Sequence, residues 1–177
     1  MRKEEFRNDC LKQLKKDSKK RTYIKDKKIL NDLYHYLIDI EAENIMLYLP
    51  LKMEVDVYPL IKRLRKEKKN LYVPFMEGKS FRLVKYRLPL HKKQFGIKEP
   101  LDSKQYRIKQ IDIAIVPIVG VDRTHRRVGF GKGMYDRFFE KNKKNIKQVV
   151  FVARELCYSN EVVTDHYDVQ ADKIFTL

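Results

Sequence analysis

Three of the chain's six glycines fall within five residues, in the run Gly129-Phe130-Gly131-Lys132-Gly133. Glycine tolerates positive φ and lets a backbone approach a ligand closely. A helix starting after such a run adds free N–H groups and a partial positive charge. Arg126, Arg127 and Lys132 contribute cations on side chains. The combination suits the phosphates of a nucleotide. It is neither of two common phosphate-binding patterns. A Walker A loop, Gly-x4-Gly-Lys-Ser/Thr, needs an earlier glycine and a hydroxyl, and the dinucleotide pattern Gly-x-Gly-x-x-Gly has become Gly-x-Gly-x-Gly. The alternative is a loop that is merely flexible.

Asp136 falls in the first turn of the helix that follows, where the helix dipole alone favours a carboxylate. Beside phosphates it also suits Mg²⁺, which takes one or two carboxylates and completes its shell with phosphate oxygens. The segment Asp165-His166-Tyr167-Asp168 offers a second carboxylate, or is only a polar turn. Glu54 stands where the run Leu47-Tyr48-Leu49-Pro50-Leu51-Lys52-Met53 passes from strand to loop. Parallel α/β sheets bind ligands beyond their C-terminal strand ends. A carboxylate there can read a ring edge bearing N–H donors, with Leu49 and Met53 as apolar walls. Lys3 and Arg7 are four apart and share one face of a helix, next to a docking stripe of Phe6, Cys10 and Leu14. By themselves these two cations read as ordinary solvated charges.

The elements that must position these groups follow from hydrophobic spacing. Helical periodicity covers 2–18 and recurs at Leu30, Leu33, Tyr34, Leu37 and Ile38. An apolar run at 45–49, stopped by Pro50, predicts a buried strand. Asp56 can cap a helix through Lys68, with Pro59 in its first turn and Leu60, Ile61 and Leu64 inward. Strands are expected at 71–75 and 81–86, an irregular stretch over 87–110, and a central strand over 111–119. A helix from about Met134 to Lys143 and strands at 148–153 and 173–176 complete the chain. Apolar strands alternating with helices predict an α/β fold: a single compact domain over 1–177, with a mainly parallel central sheet flanked by helices.

Composition excludes several classes. With 177 residues, 43% of them hydrophobic, the chain is neither disordered nor in need of covalent staples. It contains no apolar run of about 18 residues that would span a membrane, and its charged start is not expected to act as a secretory signal. Cys10 and Cys157 form no Cys-x-x-Cys pair and accompany four scattered histidines, so neither structural zinc nor a disulfide framework is expected. A reduced, cytoplasmic protein is the expectation. The net charge of +16 attracts polyanions. Residues 2–28 hold twelve Lys and Arg against five Asp and Glu, and 62–69 form a second basic run. Such runs usually mark solvated helix faces. A nucleic-acid module would also interleave exposed aromatics or carry a known motif, and neither is found.

The run Val116-Pro117-Ile118-Val119-Gly120-Val121-Asp122, followed by Arg127 through Arg137, resembles the signature of the 5-formyltetrahydrofolate cyclo-ligase family. Further matches run in the family's order: Lys3 with Arg7, Tyr48 through Asp56, the segment 95–100, and His166-Tyr167-Asp168-Val169. Met134 stands where the family usually has an aromatic, and Tyr167 is an insertion between the usual His and Asp. The resemblance implies ATP- and Mg²⁺-dependent closure of 5-formyltetrahydrofolate to 5,10-methenyltetrahydrofolate through a phosphorylated formyl group. It implies that ATP is held by Lys3, Arg7, Arg127, Val128, Gly129, Phe130, Gly131, Lys132, Gly133, Met134 and Tyr135, with Arg127 and Lys132 assisting phosphoryl transfer. The folate would meet Leu49, Glu54 and the segment Phe130, Gly131, Lys132, Gly133 and Met134, and Mg²⁺ would meet Asp136 and Asp168. The expected partners are these two small molecules, bound by a monomer. The rival readings are a basic nucleic-acid-binding module and a catalytically idle relative with a kept fold.

Overall fold

The computed structural model describes residues 1–18, 22–93, 96–101 and 110–177. Its helices are α1 (Lys3–Asp17), α2 (Thr22–Asp39), α3 (Tyr58–Lys66) and α4 (Met134–Asn142). The strands of the central sheet are β1 (Asn44–Met46), β2 (Asn70–Glu77), β3 (Ser80–Lys85), β6 (Ile111–Pro117), β9 (Ile146–Val152) and β11 (Lys173–Phe175). Short strands are β4 (Leu90–Lys92), β5 (Lys98–Pro100), β7 (Gly120–Asp122), β8 (Arg127–Val128) and β10 (Tyr158–Ser159).

Six strands form the central sheet in the order β11-β9-β6-β1-β2-β3, parallel except for β3, which returns antiparallel to β2. The expected α/β class with a mainly parallel sheet is therefore observed. Side chains alternate across the sheet with period 2. Ile45, Ile113, Ile115, Val150 and Val152 join one cluster with Leu33 and Leu37 of α2 and Leu60, Ile61 and Leu64 of α3. Met46, Ala114, Val116, Val149 and Phe151 join the other with Phe138 and Phe139 of α4. Both faces are covered, which is why β6 and residues 149–152 of β9 are almost continuously apolar. The Phe81 and Phe138 rings stack at 4.6 Å and fasten α4 to β3. Burying each such ring is worth about 1.5–3 kcal/mol.

α1 packs away from this sheet. Its Phe6, Cys10 and Leu14 bury against Val119, Val128 and Val163, beside the small β10-β7-β8 sheet. The approach is close: a Cβ on Gly120 would stand 2.9 Å from the Cys157 carbonyl oxygen and 3.0 Å from Cys10 Sγ. Cys10 is bonded to Cys157 in a disulfide with a Cα–Cα distance of 5.7 Å. This overturns the expectation of two unpaired thiols, and with it the argument for a reduced compartment. The partners are 147 residues apart. Only the docking of α1 beside β7 brings them together, so no local spacing announces the pair.

Other boundaries shift for identifiable reasons. The apolar run at 45–49 yields a strand of three residues, although the Leu47 N–H still reaches the Tyr72 carbonyl at 2.9 Å before the chain leaves the sheet. α2 begins at Thr22, well before its apolar stripe, and α3 stops at Lys66 rather than Lys68. Asp56 accepts the Tyr58 N–H at 3.0 Å from one position outside the helix cap. The stretch expected to be irregular contains the antiparallel pair β4 and β5. Strands of two or three residues carry too little alternation to be read from sequence. Phe95 and residues 102–109 lie outside the described residues. None of the described helices is long and apolar enough to cross a membrane.

Candidate active site

β1 has β2 on one side and β6 on the other, so the chain winds outward from it in both directions. Connections leaving the carboxyl ends of such neighbouring strands diverge and open a crevice at the topological switch point. A cavity of about 740 Å³ lies there. Tyr48, Leu49 and Leu51 line it from the chain after β1, Pro74 and Met76 from β2, and Phe81 from β3. Opposite them stand the glycine run, the first turn of α4, Lys3 and Arg7 of α1, and the 166–168 turn.

The glycines have different tasks. Gly131 and Gly133 adopt φ of +92° and +62°, and Gly133 in the left-handed region forms the N-cap of α4. Gly129 instead leaves room for Arg127, whose Nη1 would lie 2.2 Å from a Cβ there. The buried Arg127 guanidinium donates from Nε to the Pro117 carbonyl at 2.9 Å and lies 4.5 Å over the Tyr135 ring. Burial pulls its pKa down, while Tyr135, Asp136, Glu54 and Asp168 pull it up. Arg7 Nε donates to the Gly129 carbonyl at 2.9 Å and so ties α1 to the loop. Lys132 is exposed at the start of α4.

The carboxylates divide into two groups. Asp168 is buried and forms an ion pair with Lys3, and its Oδ2 also accepts the Asp165 N–H at 2.7 Å. Asp136 Oδ1 accepts the Val169 N–H at 3.3 Å, which brings both aspartates to one wall. Among the described residues no three His, Cys, Asp or Glu side chains converge as a metal cluster. Two hard carboxylates beside cation-lined space nevertheless fit Mg²⁺ that arrives with phosphate oxygens. Glu54 lies apart, near the apolar wall. Its Oε2 accepts the Leu51 N–H at 2.7 Å. Burial raises its carboxyl to about 7, against the pull of that hydrogen bond and of Arg127 and Arg154.

Of the residues anticipated from sequence, Lys3, Arg7, Leu49, Glu54, Arg127, Gly129 through Asp136 and Asp168 all line this one cavity. Val128 does not, because its side chain packs with Phe6 and Cys10 beneath the loop. Met53 is also absent from the wall, and Leu51 takes its place. Sequence reasoning missed the apolar side formed by Pro74, Met76 and Phe81, which only strand pairing brings opposite the glycine run. It also missed how Ile97 and Lys98 arrive: buried Glu99 accepts the Met76 N–H at 2.8 Å and holds β5 against β2.

Comparison with known proteins agrees with this geometry. The sequence model of the 5-formyltetrahydrofolate cyclo-ligase family matches residues 1–177. The 5-formyltetrahydrofolate cyclo-ligase of Haemophilus influenzae is 32% identical over 140 residues, covering 73% of each chain. That of Mycoplasma genitalium is 28% identical over 153 residues, covering 84% of this chain and 82% of its own. The solution structure of Aquifex aeolicus 5,10-methenyltetrahydrofolate synthetase superposes with a TM-score of 0.82 at 31% identity, covering 99% of this chain and 90% of that one. The Mycoplasma pneumoniae 5,10-methenyltetrahydrofolate synthetase superposes with a TM-score of 0.71 at 25% identity, covering 99% and 98%. With its full length matched and its glycine run, carboxylates and cations lining one crevice, the chain belongs to the 5-formyltetrahydrofolate cyclo-ligase family of ATP-dependent ligases.

Proposed function

We propose that this chain converts 5-formyltetrahydrofolate and ATP into 5,10-methenyltetrahydrofolate, ADP and phosphate through a phosphorylated formyl group. The observation that carries the reading is the division of one cavity into a cationic glycine-loop side and an apolar side ending in Glu54. Lys3, Arg7 and the loop from Arg127 to Tyr135 hold the triphosphate. Leu49, Phe81, Met134 and the loop backbone enclose the folate ring, and Glu54 accepts hydrogen bonds from its N–H edge. Asp136 and Asp168 would hold Mg²⁺, which would neutralise phosphate charge. Lys3, now paired with Asp168, turns toward the phosphates when that carboxylate is engaged.

The formyl oxygen attacks the γ-phosphorus, an O–P bond forms, the bond to the β-phosphate oxygen breaks, and ADP leaves. The N5 lone pair then makes the activated carbon an iminium centre, which N10 attacks. N10 loses its proton, the carbon–oxygen bond breaks, and phosphate departs with the former formyl oxygen. Such a sequence needs positioning and charge neutralisation rather than a covalent intermediate on the protein. Arg127 and Lys132 supply that charge. Substrate carrying heavy oxygen in its formyl group tests the route: the label should appear in the released phosphate. Label recovered in water or formate instead would refute phosphorylation of the formyl oxygen.

A further inference from the structure

Asp26 of α2 and Arg154, just beyond β9, form a buried ion pair that does not line the cavity. Arg154 Nε donates to Asp26 Oδ1 at 2.6 Å and Nη2 donates to Oδ2 at 2.8 Å. This is a forked geometry that lysine cannot reproduce. Each partner has a further hydrogen bond, and both go to the same loop. Arg154 Nη1 donates to the Met53 carbonyl at 3.1 Å, and Asp26 Oδ2 accepts the Asp56 N–H at 3.0 Å. Residues 53 and 56 bracket Glu54. The Tyr48 hydroxyl adds a third tie, donating to the Val55 carbonyl at 2.8 Å.

Stability alone is a poor reason for this pair. Desolvating two charges often costs as much as their attraction returns, and apolar residues of similar volume commonly serve as well. Leu33, Val55 and Val152 belong to the apolar core cluster on this side of the sheet, so the surroundings would suit such residues. What an apolar pair could not do is hold two backbone groups of the loop in register.

We propose that the Asp26–Arg154 pair is a positioning device: by fixing Met53 and Asp56 it aims the Glu54 carboxylate into the cavity, and it sets affinity for the reduced folate without touching it. This rests on the reading of Glu54 as the folate-ring acceptor. The groups facing Glu54 are Tyr48, Tyr135, Arg127 and Arg154, and the two arginines both favour its ionised form. Loss of Arg154 therefore also removes a cation that acts on Glu54.

Two full-length variants test the proposal. Asp26→Leu with Arg154→Met removes both charges together and leaves no unpaired ion buried. Arg154→Lys keeps the charge beside Asp26 but loses the fork and the bond to Met53. In both, KM for 5-formyltetrahydrofolate should rise about tenfold or more, the scale of a displaced binding group, while KM for ATP stays within about twofold. In the double variant the pH midpoint of the folate KM should move upward, because of the two charges removed it is Arg154 that acts on Glu54. In Arg154→Lys it should stay near wild type. Thermal melting shows whether each variant is folded, and Arg154→Lys decides alone if the double variant is not. A folate KM within about twofold of wild type in a folded variant would overturn the proposal. Wild-type protein that turns over no folate would instead overturn the reading of Glu54 on which it rests.

Discussion

Glu54 shows how far a residue's chemistry depends on its surroundings. Its place after the first strand was legible in sequence, but its burial was not, because Tyr48, Tyr135 and Arg127 reach it from three separate segments. Burial lifts its carboxyl from the ordinary 4.5 to about 7. Across that window the folded protein retains a proton that the unfolded chain has released. Stability should therefore fall as pH rises through the window and level off above it. Folate binding should run the other way, since the ionised carboxylate is the better acceptor. KM for folate should fall as pH is raised through about 7. Glu54→Gln should raise that KM and flatten its pH dependence while leaving ATP binding intact. An equally steep profile in the variant would show that another group titrates. Asp136 poses a sharper question, since a first-turn aspartate needs no function. Asp136→Asn keeps the hydrogen bond from Val169 but removes the charge. Turnover should fall by about tenfold or more, the scale of one electrostatic contact of about 1.4 kcal/mol, with little change in melting. Unaltered turnover across a Mg²⁺ titration would make it a helix-start residue only.

Among the elements, α1 carries the most consequence relative to what its sequence disclosed. The spacing of Phe6, Cys10 and Leu14 predicted a docked helix, and the same three residues are buried. What they dock against was not legible, because the partner surface is built from strands of two and three residues and from Val163 far along the chain. The disulfide was hidden for the same reason. Removing it with Cys10→Ser and Cys157→Ser should lower stability by about 3–5 kcal/mol on a loop-entropy view of a 147-residue separation. It should also raise KM for ATP more than KM for folate, because α1 brings Lys3 and Arg7 to the loop. Equal KM values in the oxidised and disulfide-free proteins would show that apolar docking alone holds the helix. Lys3 is not the interchangeable surface charge its sequence context suggests. Its partner Asp168 is buried, so Lys3→Ala should cost stability as well as ATP affinity.

For the molecule as a whole, strand order decides where chemistry can occur. Sequence patterning was enough to predict parallel strands and helices, but not that β1 would sit between β2 and β6, which places the crevice. The surplus of +16 is spread over the surface. On α3 it forms a solvated face, where Arg63 lies 3.2 Å over the Tyr34 ring, and just beyond the helix Lys69 pairs with Glu43 at 2.5 Å. The cations placed to meet a ligand are the few that line the cavity. A nucleic-acid module would depend on the first set and a cyclo-ligase on the second. The most direct test is to incubate the purified protein with 5-formyltetrahydrofolate, ATP and Mg²⁺ and follow the near-ultraviolet absorbance of the methenyl product. The absorbance should grow only when all three are present, with one ADP released per product formed. No ATP-dependent rise, from protein shown to be folded, would contradict the assignment.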